Sequence, residues 1–251
     1  MRPLLLLSLL FSCLWGQTQD SLVHQFSDKH KQNWVVPALI AGYAGADYLC
    51  YRYLDTRIQK GVQANKNGTE DFIFNTVSDL GLGRTQTIGI LTVGAASLIF
   101  KNTRLKKTVL IWAGSLFINS IATDQLKTTF QRHRPNTGDP YNTFDWRKGP
   151  NLNRSFPSGH TTNAFTTATV WVMQYRDKKW VPYVAYGLAT LVGMSRIYHN
   201  AHWASDVITG AAVGYGSARA MTAIYRLAGK KIRFLPEVGN RYVSMQVVYS
   251  F

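Results

Sequence analysis

Six apolar stretches, 34–50, 85–100, 108–123, 162–174, 181–194 and 207–225, dominate the chain and constrain its fold more than any other feature. Each is rich in Gly, Ala and Thr, residues that let helices approach closely, and each runs longer than an ordinary strand. Polar connectors at 56–71, 101–107, 136–154 and 176–179 separate them. The pattern predicts an all-α, single-domain bundle of about six core helices. Pro135 is expected to close the third helix, because its ring excludes a preceding helical turn. The connector 136–154 is long for a plain link and reads as a lid or binding loop. From Val243 to Phe251 the period switches to two, which predicts a short C-terminal strand or hairpin within a β tail, 232–251, packed on the bundle.

A spanning helix needs about 20 apolar residues. Most of the charge-free cores are shorter, and Asp47 and Asp124 interrupt or end two of them. Arg2 followed by the apolar run 4–14 and then Gly16 reads as a signal peptide, 1–16. Cys13 offers an alternative as a lipidated residue. A cleaved signal would turn the basic connectors 101–107 and 176–179 outward in a six-span protein, against the positive-inside pattern. A periplasmic globular bundle, 17–231, is therefore expected, with an integral inner-membrane protein facing the periplasm as the alternative. Removal of the signal leaves Cys50 alone, so no disulfide framework is expected.

Lys and Arg total 28 against 13 Asp and Glu, a formal net charge of +15. Such a balance favours anionic partners: phosphoesters, an acidic membrane surface or nucleic acid. No aromatic-interleaved basic platform or recognition helix accompanies it, so nucleic acid is not expected.

Three segments carry chemistry. Lys127 and Arg134 stand seven apart, two helical turns, which places both cations on one face where they can hold a phosphoryl group. The same spacing also suits a solvated basic helix end. Pro157-Ser158-Gly159-His160 opens a helix, where free amides and the positive dipole end attract an anion and His160 can deliver a proton. An ordinary cap with a surface histidine has the same composition. In Ser195-Arg196-Ile197-Tyr198-His199-Asn200-Ala201-His202-Trp203-Ala204-Ser205-Asp206, His202 and Asp206 are four apart, so a helix would bring the carboxylate to one imidazole nitrogen and ready the other as a nucleophile. Arg196 adds a third cation.

Taken in order, these segments resemble the signature of the type 2 phosphatidic acid phosphatase superfamily, which also contains bacterial class A acid phosphatases and vanadium haloperoxidases. The pattern is Lys127, six residues, Arg134-Pro135; Pro157-Ser158-Gly159-His160; and Ser195-Arg196, five residues, His202, three residues, Asp206. The resemblance covers roughly 110–220. It implies that His202 attacks phosphorus to form a phosphohistidine, oriented by Asp206, and that His160 protonates the leaving oxygen and then activates water. Lys127, Arg134, Arg196, Ser158 and Gly159 would hold the phosphate oxygens, with no metal and no cofactor required. It implies a phosphatase acting on phosphorylated lipids, such as phosphatidic acid, isoprenyl diphosphate or lipid A. The alternatives are a soluble broad-specificity acid phosphatase, a vanadate-dependent halide oxidase, and a noncatalytic anion- or lipid-binding envelope protein.

His133 and His199 fall outside the signature and are expected to be solvated or to support the site. Asp124 is expected to pair with Lys127. Tyr141, Phe144, Trp146, Arg147, Lys148 and Arg154 fit either a lipid-gripping lid or a packed loop.

Overall fold

The computed structural model describes residues 35–66, 68–147, 153–239 and 242–249; the signal segment with Cys13, Lys148 and Phe251 lie outside them. The described helices are α1 (Val35–Leu49), α2 (Asp55–Ala64), α3 (Gly68–Ser78), α4 (Gly83–Ile99), α5 (Thr103–Phe130), α6 (Gly159–Gln174), α7 (Val181–Tyr198) and α8 (Ala204–Lys231). A π-helical turn, Cys50–Leu54, joins α1 to α2. Beyond α8, strands β1 (Ile232–Gly239) and β2 (Tyr242–Tyr249) pair antiparallel, with Ile232 opposite Tyr249. The fold is all-α, as expected.

Helix α6 is the central element, packed against α5, α7 and α8, while α3 lies on α7 and α4 on α5. Its two faces serve two small cores. Val170 meets Ile111, Trp112 and Ala218, and Ala164 and Ala168 meet Ala189 and Val192. The remaining interior of α6 is threonine: Thr161, Thr162, Thr166 and Thr169 are all fully buried. Buried hydroxyls are costly unless bonded. Thr166 returns its hydroxyl to the Thr162 carbonyl at 2.7 Å, and Ser115, Ser217 and Thr222 do the same on α5 and α8. Small polar residues thereby give close helix packing with their donors satisfied.

Gly210 and Gly214 set how closely α8 approaches α6. A Cβ on Gly210 would lie 2.9 Å from the Ser158 carbonyl, and one on Gly214 would collide with the Thr162 carbonyl. Backbone cannot yield as a flexible side chain can. Gly214→Ala should therefore destabilise the protein by about 2 kcal/mol or more, as overpacking does. Thermal or urea unfolding reads this directly, and an unchanged midpoint would contradict the packing.

Several expected boundaries need correction. The stretch 56–71, read as a connector, is largely helical, because α2 and α3 place their many charges on open faces. Asp124 lies exposed on α5 and pairs with Arg154, not with Lys127. Helix α5 stops at Phe130, before Pro135, where Gln131 turns left-handed at φ 45°. Asp47 lies buried within α1 and receives the Thr209 hydroxyl. Among the described residues, no helix is long and apolar enough to cross a membrane.

Candidate active site

The three segments converge where the start of α6, the end of α7 and the start of α8 meet the turn after α5. Ser158, in extended backbone, precedes α6, and its amide donates to the Asp206 carbonyl at 3.0 Å. That bond ties the start of α6 to the first turn of α8. His160 lies in the first turn of α6, at an end whose free amides favour an anion. The Ser158 hydroxyl is fully buried and accepts from Thr161 at 2.8 Å.

His202 is not on a helix, contrary to the expectation from its spacing. It lies in the bend two residues before α8, and Asp206 occupies the first helical turn. His202 Nδ1 lies 2.7 Å from the Ser155 carbonyl oxygen, whereas the nearer Asp206 oxygen is 3.7 Å away. A carbonyl can only accept, so Nδ1 carries the proton and Nε2 keeps its lone pair. Asp206 acts one step back: Oδ2 accepts from the Ser155 hydroxyl at 2.5 Å and from the Trp203 amide at 3.0 Å.

The cations come from separate elements. Lys127, in the last turn of α5, donates from Nζ to the Arg154 carbonyl at 2.7 Å. Arg134 lies beyond the helix end, so helical spacing does not place it beside Lys127; the turn at Gln131 carries it there. Arg196, on α7, donates to the Ser78 hydroxyl at 2.7 Å. Its Nε is buried with no hydrogen-bond partner. An orphaned guanidinium donor is uncommon and fits an absent anionic oxygen.

Electrostatics point the same way. Burial pushes His160 down to about 3, aided by Arg196, His202, Lys127 and Arg134. Burial also lowers His202 to about 4 despite the raising effect of Asp206. Lys127 falls to about 7, chiefly through burial, with Arg134 and Arg154 adding repulsion. For Asp206 burial raises the pKa, but Arg132, His202 and Ser155 overcome it and hold the carboxyl well below its usual range. Cations therefore outweigh carboxylates around the pocket, which favours an anion there.

Both histidines hold their protons less tightly folded than unfolded, where the value is 6.5. Their contribution to stability is complete above pH 6.5 and is lost as pH falls towards about 4 for His202 and about 3 for His160. The loss is on the order of 3 kcal/mol for His202. The stability advantage of the wild type over His202→Asn should shrink between pH 7 and pH 4.5, a comparison that cancels the opposite effect of Asp47, raised to about 7 by burial, and orthophosphate should lessen the loss. A difference that widens on acidification would contradict the assignment.

His133 and His199 lie beside the site in supporting positions. His133 is clamped by Asp139 at 2.6 Å and Asp145 at 3.1 Å, fastening the 131–147 loop. His199 reaches Asn75 at 2.9 Å and Arg196 at 3.4 Å. In that loop Phe144 and Trp146 pack on Phe130, and Tyr141 packs on Tyr51, so its described aromatic residues form a packed loop. Arg147 donates to Thr129 at 3.0 Å.

Arg132, Asp55 and Ser155 escaped the sequence reading. Arg132 is fully buried and bonds Asp206 at 2.6 Å and Asp55 at 2.7 Å. Arg132 stood inside a segment already read as basic, and Asp55 stood at the edge of an assumed connector.

The PAP2 superfamily model matches residues 108–230. Lipid A 1-phosphatase of Porphyromonas gingivalis is 49% identical over 61 residues, 24% of this chain and 14% of that protein. Phosphatidylglycerophosphatase B of Bacillus subtilis is 28% identical over 138 residues, 50% of this chain and 60% of that protein. The matches therefore span less than two-thirds of these relatives' lengths. Among solved structures, Aquifex aeolicus LpxE aligns with a TM-score of 0.55 and 26% identity, covering 67% of this chain and 94% of that one. A Bacillus subtilis transmembrane PAP2-type phosphatidylglycerolphosphate phosphatase aligns at 0.53 and 20% identity over 90% of this chain and 98% of that one, a likeness of fold. The three segments gathered at one pocket all fall within residues 108–230, the part of the chain that matches the PAP2 superfamily model.

Proposed function

We propose that this protein is a phosphatase that hydrolyses phosphomonoesters or terminal phosphates of diphosphates through a phosphohistidine, without a metal ion. The observation that carries the reading is the cation-rich pocket. Lys127 and Arg134 act on His202, whose Nε2 is free, and together with Arg196 on His160, while the Arg196 Nε has no partner. In the reaction, these cations and the Gly159 amide hold the phosphoryl oxygens while His202 Nε2 attacks phosphorus. His160 protonates the leaving oxygen and then draws a proton from water, which releases phosphate. Cations fixed in advance on the protein supply the charge stabilisation that a metal supplies elsewhere, usually the largest catalytic contribution.

The leaving group has room beside His160. A cleft of about 320 Å³ opens there, lined by Asn119, Thr123, Lys127, Gly159 and Asn163 among others. Phosphorylated lipids are the favoured substrates, supported by the activities named for the relatives, lipid A 1-phosphatase and phosphatidylglycerophosphatase B. Apolar side chains left open to the surface, such as Leu98, Ile99, Phe100 and Phe117, suit work at a lipid surface in the cell envelope.

A panel of lipid and soluble phosphoesters, assayed with and without chelator, tests this reading. Release of phosphate from lipid substrates, undiminished by chelator, is the expected result. Turnover of soluble esters alone would favour the acid phosphatase alternative, and chelator-sensitive turnover would overturn the metal-free mechanism. Arg196→Met should lower kcat/KM by about 100-fold or more, as removal of a preorganised donor does.

A further inference from the structure

We propose that Arg132, seated on Asp55, is a positioning residue for the nucleophile, an inference that rests on the phosphatase reading above. It holds Asp206, and Asp206 acts through Ser155 to fix the tautomer and aim of His202.

All of its nitrogens are occupied. Nε donates to the Tyr141 carbonyl at 3.0 Å, and one terminal nitrogen to Asp206 at 2.6 Å and Ser205 at 2.8 Å. The other donates to Asp55 at 2.7 Å and Tyr141 at 2.7 Å. The rings of Tyr51, Phe144 and Trp203 lie 5.2 to 5.5 Å from the guanidinium carbon. With its donors spent and its faces covered, Arg132 cannot serve as a phosphate ligand as Arg134 and Arg196 do.

What remains is a relay. Asp206 Oδ1 is fixed by Arg132, which leaves Oδ2 aimed at the Ser155 hydroxyl, 2.5 Å away, and the Trp203 amide. Ser155 then presents its carbonyl to His202 Nδ1. Its own amide donates at 3.0 Å to the Arg132 carbonyl, closing the loop. Asp55 anchors the far side, accepting from the Ser205 amide at 2.8 Å and the Ser205 hydroxyl at 2.6 Å. With both carboxylates ionised, two negative charges and one positive leave a single negative charge behind His202. That charge favours the positive imidazole formed when Nε2 takes the phosphoryl group. A lysine would keep the charge but lose the planar fork that spans two carboxylates.

The test uses the full chain as Arg132→Lys and as the pair Asp55→Asn with Arg132→Met, which removes one buried charge of each sign and leaves Asp206 without its arginine. Thermal midpoint, kcat, KM and the ¹⁵N-histidine NMR signature of the His202 ring are measured, with the ring assigned by its loss in His202→Asn. For Arg132→Lys, kcat should fall about 10- to 100-fold, as it does when supporting partners are removed, with KM unchanged. The single Nδ1–H tautomer should become a mixture. The paired variant should fold with a lowered thermal midpoint, because buried Asp206 loses its partner, and should lose both kcat and the single tautomer. Wild-type kcat in either folded variant, with the tautomer unaltered, would overturn the proposal and leave Arg132 a purely structural group. The NMR readout needs no substrate, so a wild type without phosphatase activity would sink the functional reading while the tautomer still decides this one.

Discussion

His202→Ala is expected to lower kcat by at least about 10⁴-fold, the scale seen when a nucleophile is removed from a working set of groups. The reason lies in how completely the fold prepares this ring. Burial keeps it neutral down to about pH 4, and the Ser155 carbonyl takes the Nδ1 proton, so Nε2 is the nitrogen that holds a lone pair. No neighbour can replace it: His199 is turned towards Asn75, and His133 is clamped between Asp139 and Asp145. The measurement is kcat on the same phosphoester panel, alongside the thermal midpoint. A midpoint near wild type with activity gone is the predicted pattern, and full activity in this variant would contradict the role.

His160→Ala should show a loss that depends on the leaving group. For an alkyl phosphate, the departing oxygen needs a proton and kcat should fall by about 10²- to 10⁴-fold. For p-nitrophenyl phosphate, whose phenolate leaves unaided, phosphorylation of His202 should survive. Release of phosphate should stay slow because no base remains to activate water, so phosphoenzyme should accumulate as a burst. The electrostatics of the pocket sharpen this. His160 sits near 3 because it is buried among Arg196, His202, Lys127 and Arg134. A bound phosphate dianion opposes those cations, so substrate binding should raise the His160 pKa and draw a proton in. Equal losses for both esters, without a burst, would place the proton transfer elsewhere.

The chemistry was far more legible than its scaffolding. Pro157, Ser158, Gly159 and His160 act through local backbone at a helix start, so a short stretch of sequence carries their meaning. Arg196 and His202 are likewise close in sequence. Lys127 and Arg134 do come near one another, but not through helical spacing, since α5 ends at Phe130 and only the turn at Gln131 sets Arg134. Arg132 and Asp55 are 77 residues apart, and nothing local distinguishes that arginine from its basic neighbours or that aspartate from the charges of α2. Their meaning is tertiary. The same holds for Asp47, which reads as a charge within an apolar stretch until the Thr209 hydroxyl is seen to satisfy it.

The central claim is a covalent phosphohistidine at His202, and rapid quench of the enzyme with ³²P-labelled substrate tests it most directly. The protein should carry label that survives alkali and is lost in acid, mapping to the peptide that holds His202 and accumulating further in His160→Ala. Label that is absent through the first turnover, or that maps to another residue, would contradict the account.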